Sequence, residues 1–139
     1  MTTIEILQPE NKPIAGERMK ILNYAQERFF REGFYKISMD ELSKELGISK
    51  STLYKNFPSK IDLLHETIIL LITTVKSKII GSINSDKNAV EKFVMVIQVL
   101  TATITRFTDK FMNDLQHHAP HIWQEVDETR RKLMYEQIS

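Results

Sequence analysis

Between Lys50 and Asn56 the chain carries Lys50, Ser51, Thr52, Tyr54, Lys55 and Asn56, interrupted only by Leu53. These side chains offer cations, hydroxyls and an amide, and no carboxylate. Such groups donate to phosphate oxygens and to the edges of bases, which is the chemistry of nucleic-acid recognition. A helix is needed to present them together. Leu53 and Phe57 stand four apart and turn inward, leaving the six polar residues outside. Ser49 can cap this helix, Pro58 ends it, and Ser59 with Asp62 opens the next. Upstream, Met39, Leu42 and Leu46 share one helical face. Ser38 and Glu41 form a capping-box pattern, and Gly47 supplies the left-handed residue that stops that helix. A helix, a glycine turn and an acid-free second helix make a helix-turn-helix that reads DNA.

The charge balance agrees locally rather than globally. Net charge over 139 residues is only +1. From Ala15 to Lys60, however, nine Lys or Arg stand against six Asp or Glu, and from Gly47 to Lys60 there are three Lys and no acid. A modest patch of this kind suits a dimer whose phosphate contacts are doubled by symmetry. Other chemistries lack their parts. There is no Cys, which excludes disulfides and thiolate metal sites, and no Gly-rich phosphate loop. His117, His118 and His121 have two members four apart, but Pro120 between them opposes a continuous helix. They read as a polar corner rather than a metal site, so no catalytic residue, metal or cofactor is assigned.

An all-α fold must hold these residues. Four Gly and four Pro favour long helices over a many-turned sheet. Residues 1–16 read as an N-terminal arm, 17–66 as the helix-turn-helix DNA-binding domain, and 67–139 as a helical regulatory domain. The first helix is expected from Glu17 to Glu32, with Ile21, Leu22, Ala25, Phe29 and Phe30 inward, making a three-helix head. A long connecting helix follows from Ser59 to Ile83. The next, Lys87 to Phe107, should turn Val90, Phe93, Val94, Ile97, Leu100 and Ile104 inward. Asp109 to His117 is a short helix, and Pro120 starts the last. The start of the chain lacks a signal-peptide pattern, and the apolar run Ile68–Val75 is too short to cross a bilayer. The expectation is a cytoplasmic protein with no membrane contact.

The stretch GFYKISMDELSKELGISKSTLYKNFPSKIDLL resembles the DNA-binding signature of the tetracycline-repressor (TetR) family of transcriptional regulators. The matching features are Gly33-Phe34, Ser38, Leu42, Gly47-Ile48-Ser49, Leu53-Tyr54, Phe57, Lys60 and Leu63-Leu64. Asn56 departs from the aromatic or His usual in the family. The later segment FMNDLQHHAPHIWQEVDETRR is also similar to one found there. The resemblance implies a repressor of a palindromic double-stranded operator, released by a small-molecule effector and acting as a homodimer. Ser51 and Thr52 would approach bases, Tyr54 and Lys55 phosphates, and Lys60 with the helix start at Ser59 another phosphate, with Ser38 near the backbone. An effector cavity would draw on Phe93, Val96, Ile97, Leu100, Phe107, Phe111, Met112, Trp123 and Met134, each of which is equally a core residue.

Family members normally carry a further helix pair that forms a dimeric bundle. This sequence stops at Ser139 with no helix stop signal. The expectation is that the 139-residue chain is a weak dimer or monomer with exposed apolar surface. A second reading is a truncated family member that acts as a protein-interaction module without specific DNA binding.

Overall fold

The computed structural model describes residues 12–138, with side chains described for 16–129, 131 and 132. Seven helices and no strand occur among the described residues. They are α1 (Lys12–Glu32), α2 (Met39–Leu46), α3 (Lys50–Asn56), α4 (Lys60–Ile83), α5 (Ala89–Arg106), α6 (Asp109–His118) and α7 (Pro120–Ile138). Among the described residues no helix is long and apolar enough to cross a membrane.

The helix starts follow from side-chain caps. Ser38, Ser49, Ser59, Asn88 and Thr108 each accept a hydrogen bond from the backbone N–H three residues on. Each satisfies a donor that the first turn leaves without a helical partner. Helix α1 begins at Lys12, five residues before the expected start. Pro13 is no obstacle there, because a first-turn N–H has no acceptor within the helix. Residues 1–11 of the expected arm lie outside the described residues.

One core runs through the molecule. Ile21, Leu22, Ala25, Phe29 and Phe30 of α1 are buried against Leu42, Leu53, Phe57 and the start of α4 at Leu63, Leu64 and Ile68. Phe111 and Leu115 of α6 close the far side on Phe30. Thus α1 touches both the helix-turn-helix and α6. Helix α4 packs against both α1 and α5. Ile79 is buried there as expected, but Ile80 is exposed.

Helix α5 corrects the sequence reading. Val90, Phe93 and Ile104 are 73%, 66% and 69% exposed, and Val94, Ile97 and Leu100 are exposed as well. Met95, Val96, Val99 and Thr103 occupy the less exposed side. The segment AVEKFVMVIQVLTATITR is apolar on both faces, so periodicity cannot tell which face meets α4. The face expected to point inward points out.

Candidate nucleic-acid interface

The α2–turn–α3 unit is built as its sequence dictates, with one substitution of partners. Glu41 N–H donates to Ser38 Oγ at 3.0 Å, half of a capping box. The Glu41 carboxylate pairs with Arg28 of α1 at 2.6 Å. At the turn Gly47 adopts φ 69° and ψ 31°, and Ile48 N–H returns to Ser43 O at 3.0 Å. This closes the helix in the left-handed manner that glycine permits. Ser49 then caps α3 by accepting from Thr52 N–H at 3.0 Å. Leu53 and Phe57 are fully buried and fix the rotation of α3.

With that rotation set, the polar residues divide into engaged and open groups. Ser51, Tyr54 and Lys55 are exposed and share one face at i, i+3 and i+4. Lys50 is exposed but lies 3.4 Å from Asp40. Lys44 bonds the same Asp40 and holds its carboxyl below the usual value, with Lys50 adding to the effect. Thr52 is half-buried, and its hydroxyl accepts from Ser49 at 2.9 Å. Asn56 turns its amide back to Thr52 O at 3.0 Å. Lys60 donates to the carbonyl of Tyr35 at 2.9 Å and lies over the Phe34 ring. Burial pushes its ammonium below the ordinary lysine value, against the pull of Asp114 and Glu41. Ser38 is exposed while serving as a cap.

Two arginines of α1 hold this surface, and neither was singled out from sequence. Arg18 stacks over Phe57 at 4.2 Å from the ring centroid and donates to Asn56 O and to Glu66. It thereby satisfies a carbonyl at the open C-terminal end of α3 and ties that end to α4. Arg28 gathers Glu32, Glu41 and Glu45, and Tyr24 OH donates to Glu45 at 2.5 Å. Those acids are therefore occupied within the head. A cation on α1 and carboxylates four apart on α2 were visible in the sequence, but only the packing of α1 on α2 shows that they meet.

The described residues considered for an effector cavity do not come together as one, and Met134 lies outside the described side chains. Phe107 and Phe111 stack at 5.4 Å between centroids, and both lean on Phe30 in the core. Met112 and Trp123 are half-buried against that core, while Phe93, Ile97 and Leu100 face outward on α5. A separate open groove of about 700 Å³ runs between α4 and α7. Ile68, Ile69, Ile72, Ile122 and Val126 line it, and His65 meets Glu125 at 2.8 Å along it. Of the histidines near the α6–α7 corner, His117 donates to Asn113 O at 2.8 Å and His118 stacks on Tyr35.

Comparison with known proteins points to the same segment. Residues 21–67 match the family model for bacterial regulatory proteins of the tetR family. The chain is 43% identical over 57 residues to an HTH-type transcriptional regulator of Staphylococcus aureus (strain USA300), covering 41% of this chain and 31% of that protein. It is 29% identical over 75 residues to the nucleoid occlusion factor SlmA of Vibrio vulnificus (strain YJ016), covering 54% of this chain and 38% of that protein. The similarity thus spans only about a third of each relative's length. No solved structure matches the chain significantly.

Proposed function

We propose that this chain, whose residues 21–67 are a tetR-family domain, is a cytoplasmic transcriptional repressor that binds a palindromic operator as a homodimer. One observation carries the reading. A capped, buried-side-locked α3 presents Ser51, Tyr54 and Lys55 on one open face, without a carboxylate among them. Lys55 and Tyr54 bond phosphates, and Ser51 near the helix start meets base edges. Lys50, Thr52, Asn56, Ser38 and Lys60 join by exchanging present partners for the backbone of DNA. Of these, Lys50 gives up only an exposed ion pair, which is worth little.

In this reading residues 17–66 form the DNA-binding domain and residues 67–139 the regulatory one. A small apolar effector releases the operator. The groove between α4 and α7 is the better place for it than the dispersed aromatic set, because it is the space that apolar side chains of both helices line. The chain acts through binding and not as an enzyme. A gel shift with DNA from upstream of its own gene tests this. Sequence-selective, salt-sensitive retardation is expected. Equal affinity for any duplex, or none, contradicts it and leaves the protein-interaction reading, which the exposed apolar face of α5 would then favour.

A further inference from the structure

Helix α2 carries three acids, Asp40, Glu41 and Glu45. Arg28 of α1 binds Glu41 and Glu45. Asp40 reaches instead to the start of α3. Its Oδ1 lies 3.4 Å from Lys50 Nζ, and its Oδ2 lies 3.4 Å from Nζ of Lys44, one turn on. Asp40 is half-exposed and both lysines are exposed. Lys44 first, and Lys50 after it, hold the carboxyl below its ordinary value, so it is ionised at neutral pH. Open ion pairs of this kind add little to stability. Their place gives them weight. They set a carboxylate beside the first residue of the helix proposed to read bases, two residues after Ser38, which the same reading puts at the DNA backbone.

We propose that Asp40 is a specificity-determining residue, which accepts from the N4 amine of one cytosine in each half-site and holds the head off duplexes that lack it. The inference rests on the DNA-binding reading and deepens it. When Lys50 exchanges Asp40 for a phosphate, the carboxylate loses a partner as it nears a polyanion. Left without a donor, it is repelled by the phosphates, and an unpaired charge of this kind discriminates against the wrong partner. A duplex that supplies a donor removes the cost. In the major groove the base-edge donors are the amines of cytosine and adenine. Adenine sets its N7 acceptor beside the amine, which opposes a carboxylate. Cytosine presents its amine with no acceptor on its own edge. The carboxylate therefore favours cytosine, while the lysines that it releases bind phosphates of any sequence.

The test is selection of sites from a fully randomised duplex pool by the 139-residue chain, beside Asp40→Ala, Asp40→Asn and Lys50→Met. Anisotropy titrations at several salt concentrations follow, on the selected site and on a scrambled duplex. The wild type is expected to select a cytosine at one fixed position of each half-site. Asp40→Ala should lose that preference, roughly tenfold in affinity ratio at that base pair. It should bind the scrambled duplex more tightly than the wild type, with a log–log salt slope steeper by about one per head. Asp40→Asn should shift the preference towards adenine, because an amide both accepts from N6 and donates to N7. Lys50→Met should weaken every duplex evenly and keep the cytosine. Helical circular dichroism should match the wild type in all three variants, since both positions are open to solvent. Asp40 variants that keep the wild-type preferences, or that weaken all duplexes evenly, overturn the proposal alone. So does Lys50→Met losing the cytosine, which would give the reading to Lys50. A wild type that selects no site overturns the repressor reading, and this one with it.

Discussion

The backbone N–H of Tyr35 donates to the carboxylate of Asp114 at 3.0 Å, joining the loop ahead of the helix-turn-helix to α6, 79 residues later in the chain. The same short loop is gripped from other sides. Lys60 at the start of α4 bonds the Tyr35 carbonyl at 2.9 Å, and the Tyr35 ring stacks on His118 at 3.5 Å and 5°. Thr108, ahead of α6, donates to Phe30 O at 2.8 Å. The reading head and α6 therefore share a fastened seam.

That seam excludes a side chain at Gly33. Its φ is 81°, and a Cβ there would overlap the Asp114 carboxylate. Gly33→Ala is expected to destabilise by on the order of 1–3 kcal/mol, read as a drop in melting temperature. In the double variant Gly33→Ala/Asp114→Ala the overlap is gone while the backbone cost remains. The two losses should then be less than additive. Full additivity would mean that the carboxylate does not abut the glycine.

Gly47 poses the complementary case. Its φ is 69°, yet a Cβ would meet nothing within 4 Å. The cost of substitution is then conformational alone. Gly47→Val should lose on the order of 1–3 kcal/mol, and Gly47→Asn much less, because Asn tolerates the left-handed region. Equal melting temperatures for the two variants would rule out a left-handed turn.

Arg18 stabilises α3 through charge, a carbonyl and an aromatic face at once. Arg18→Met keeps length and apolar contact with Phe57 but leaves Asn56 O and the largely covered Glu66 without it. A loss of about 1–3 kcal/mol is expected in chemical denaturation. DNA affinity should fall with it, since the end of α3 loosens. A variant as stable as the wild type would show that this clamp is idle.

The Tyr24–Glu45–Arg28 cluster should shape stability against pH. Hydrogen bonds from Tyr24 and then Arg28 hold the Glu45 carboxyl below its ordinary value. A depressed carboxyl contributes stability above its unfolded value and loses it as pH falls through the lower folded one. The bond to Glu45 raises the Tyr24 phenol, whose contribution is present below its ordinary value and lost as pH rises through the raised one. Glu45→Gln should therefore melt lower than the wild type at neutral pH, and the two curves should converge in acid. Curves that stay parallel into strong acid would exclude the contribution.

Much of the head was legible because its signals are local. Ser38, Gly47, Ser49 and Ser59 act on residues within four positions, so spacing alone places them. The core positions Leu53 and Phe57 follow from one helical turn. What escaped is long-range. Glu41 was expected to complete its own capping box, and it turns instead to Arg28, which no local pattern announces. Lys60 was expected at a DNA phosphate, and within the chain the Tyr35 carbonyl holds it. The outward stripe of α5 shows the same limit, because a helix apolar on both faces does not declare which face its own chain will cover.

The central claim is that α3 lies on DNA with Ser51, Tyr54 and Lys55 facing it. Fluorescence anisotropy titrations of wild type and Lys55→Ala against upstream DNA, at several salt concentrations, test it most directly. Each lost phosphate contact lowers the log–log salt slope by about one per site. The account predicts weaker binding for Lys55→Ala and a slope shallower by about that amount for each head engaged. Unchanged affinity and unchanged slope would place α3 away from the phosphate backbone and contradict it.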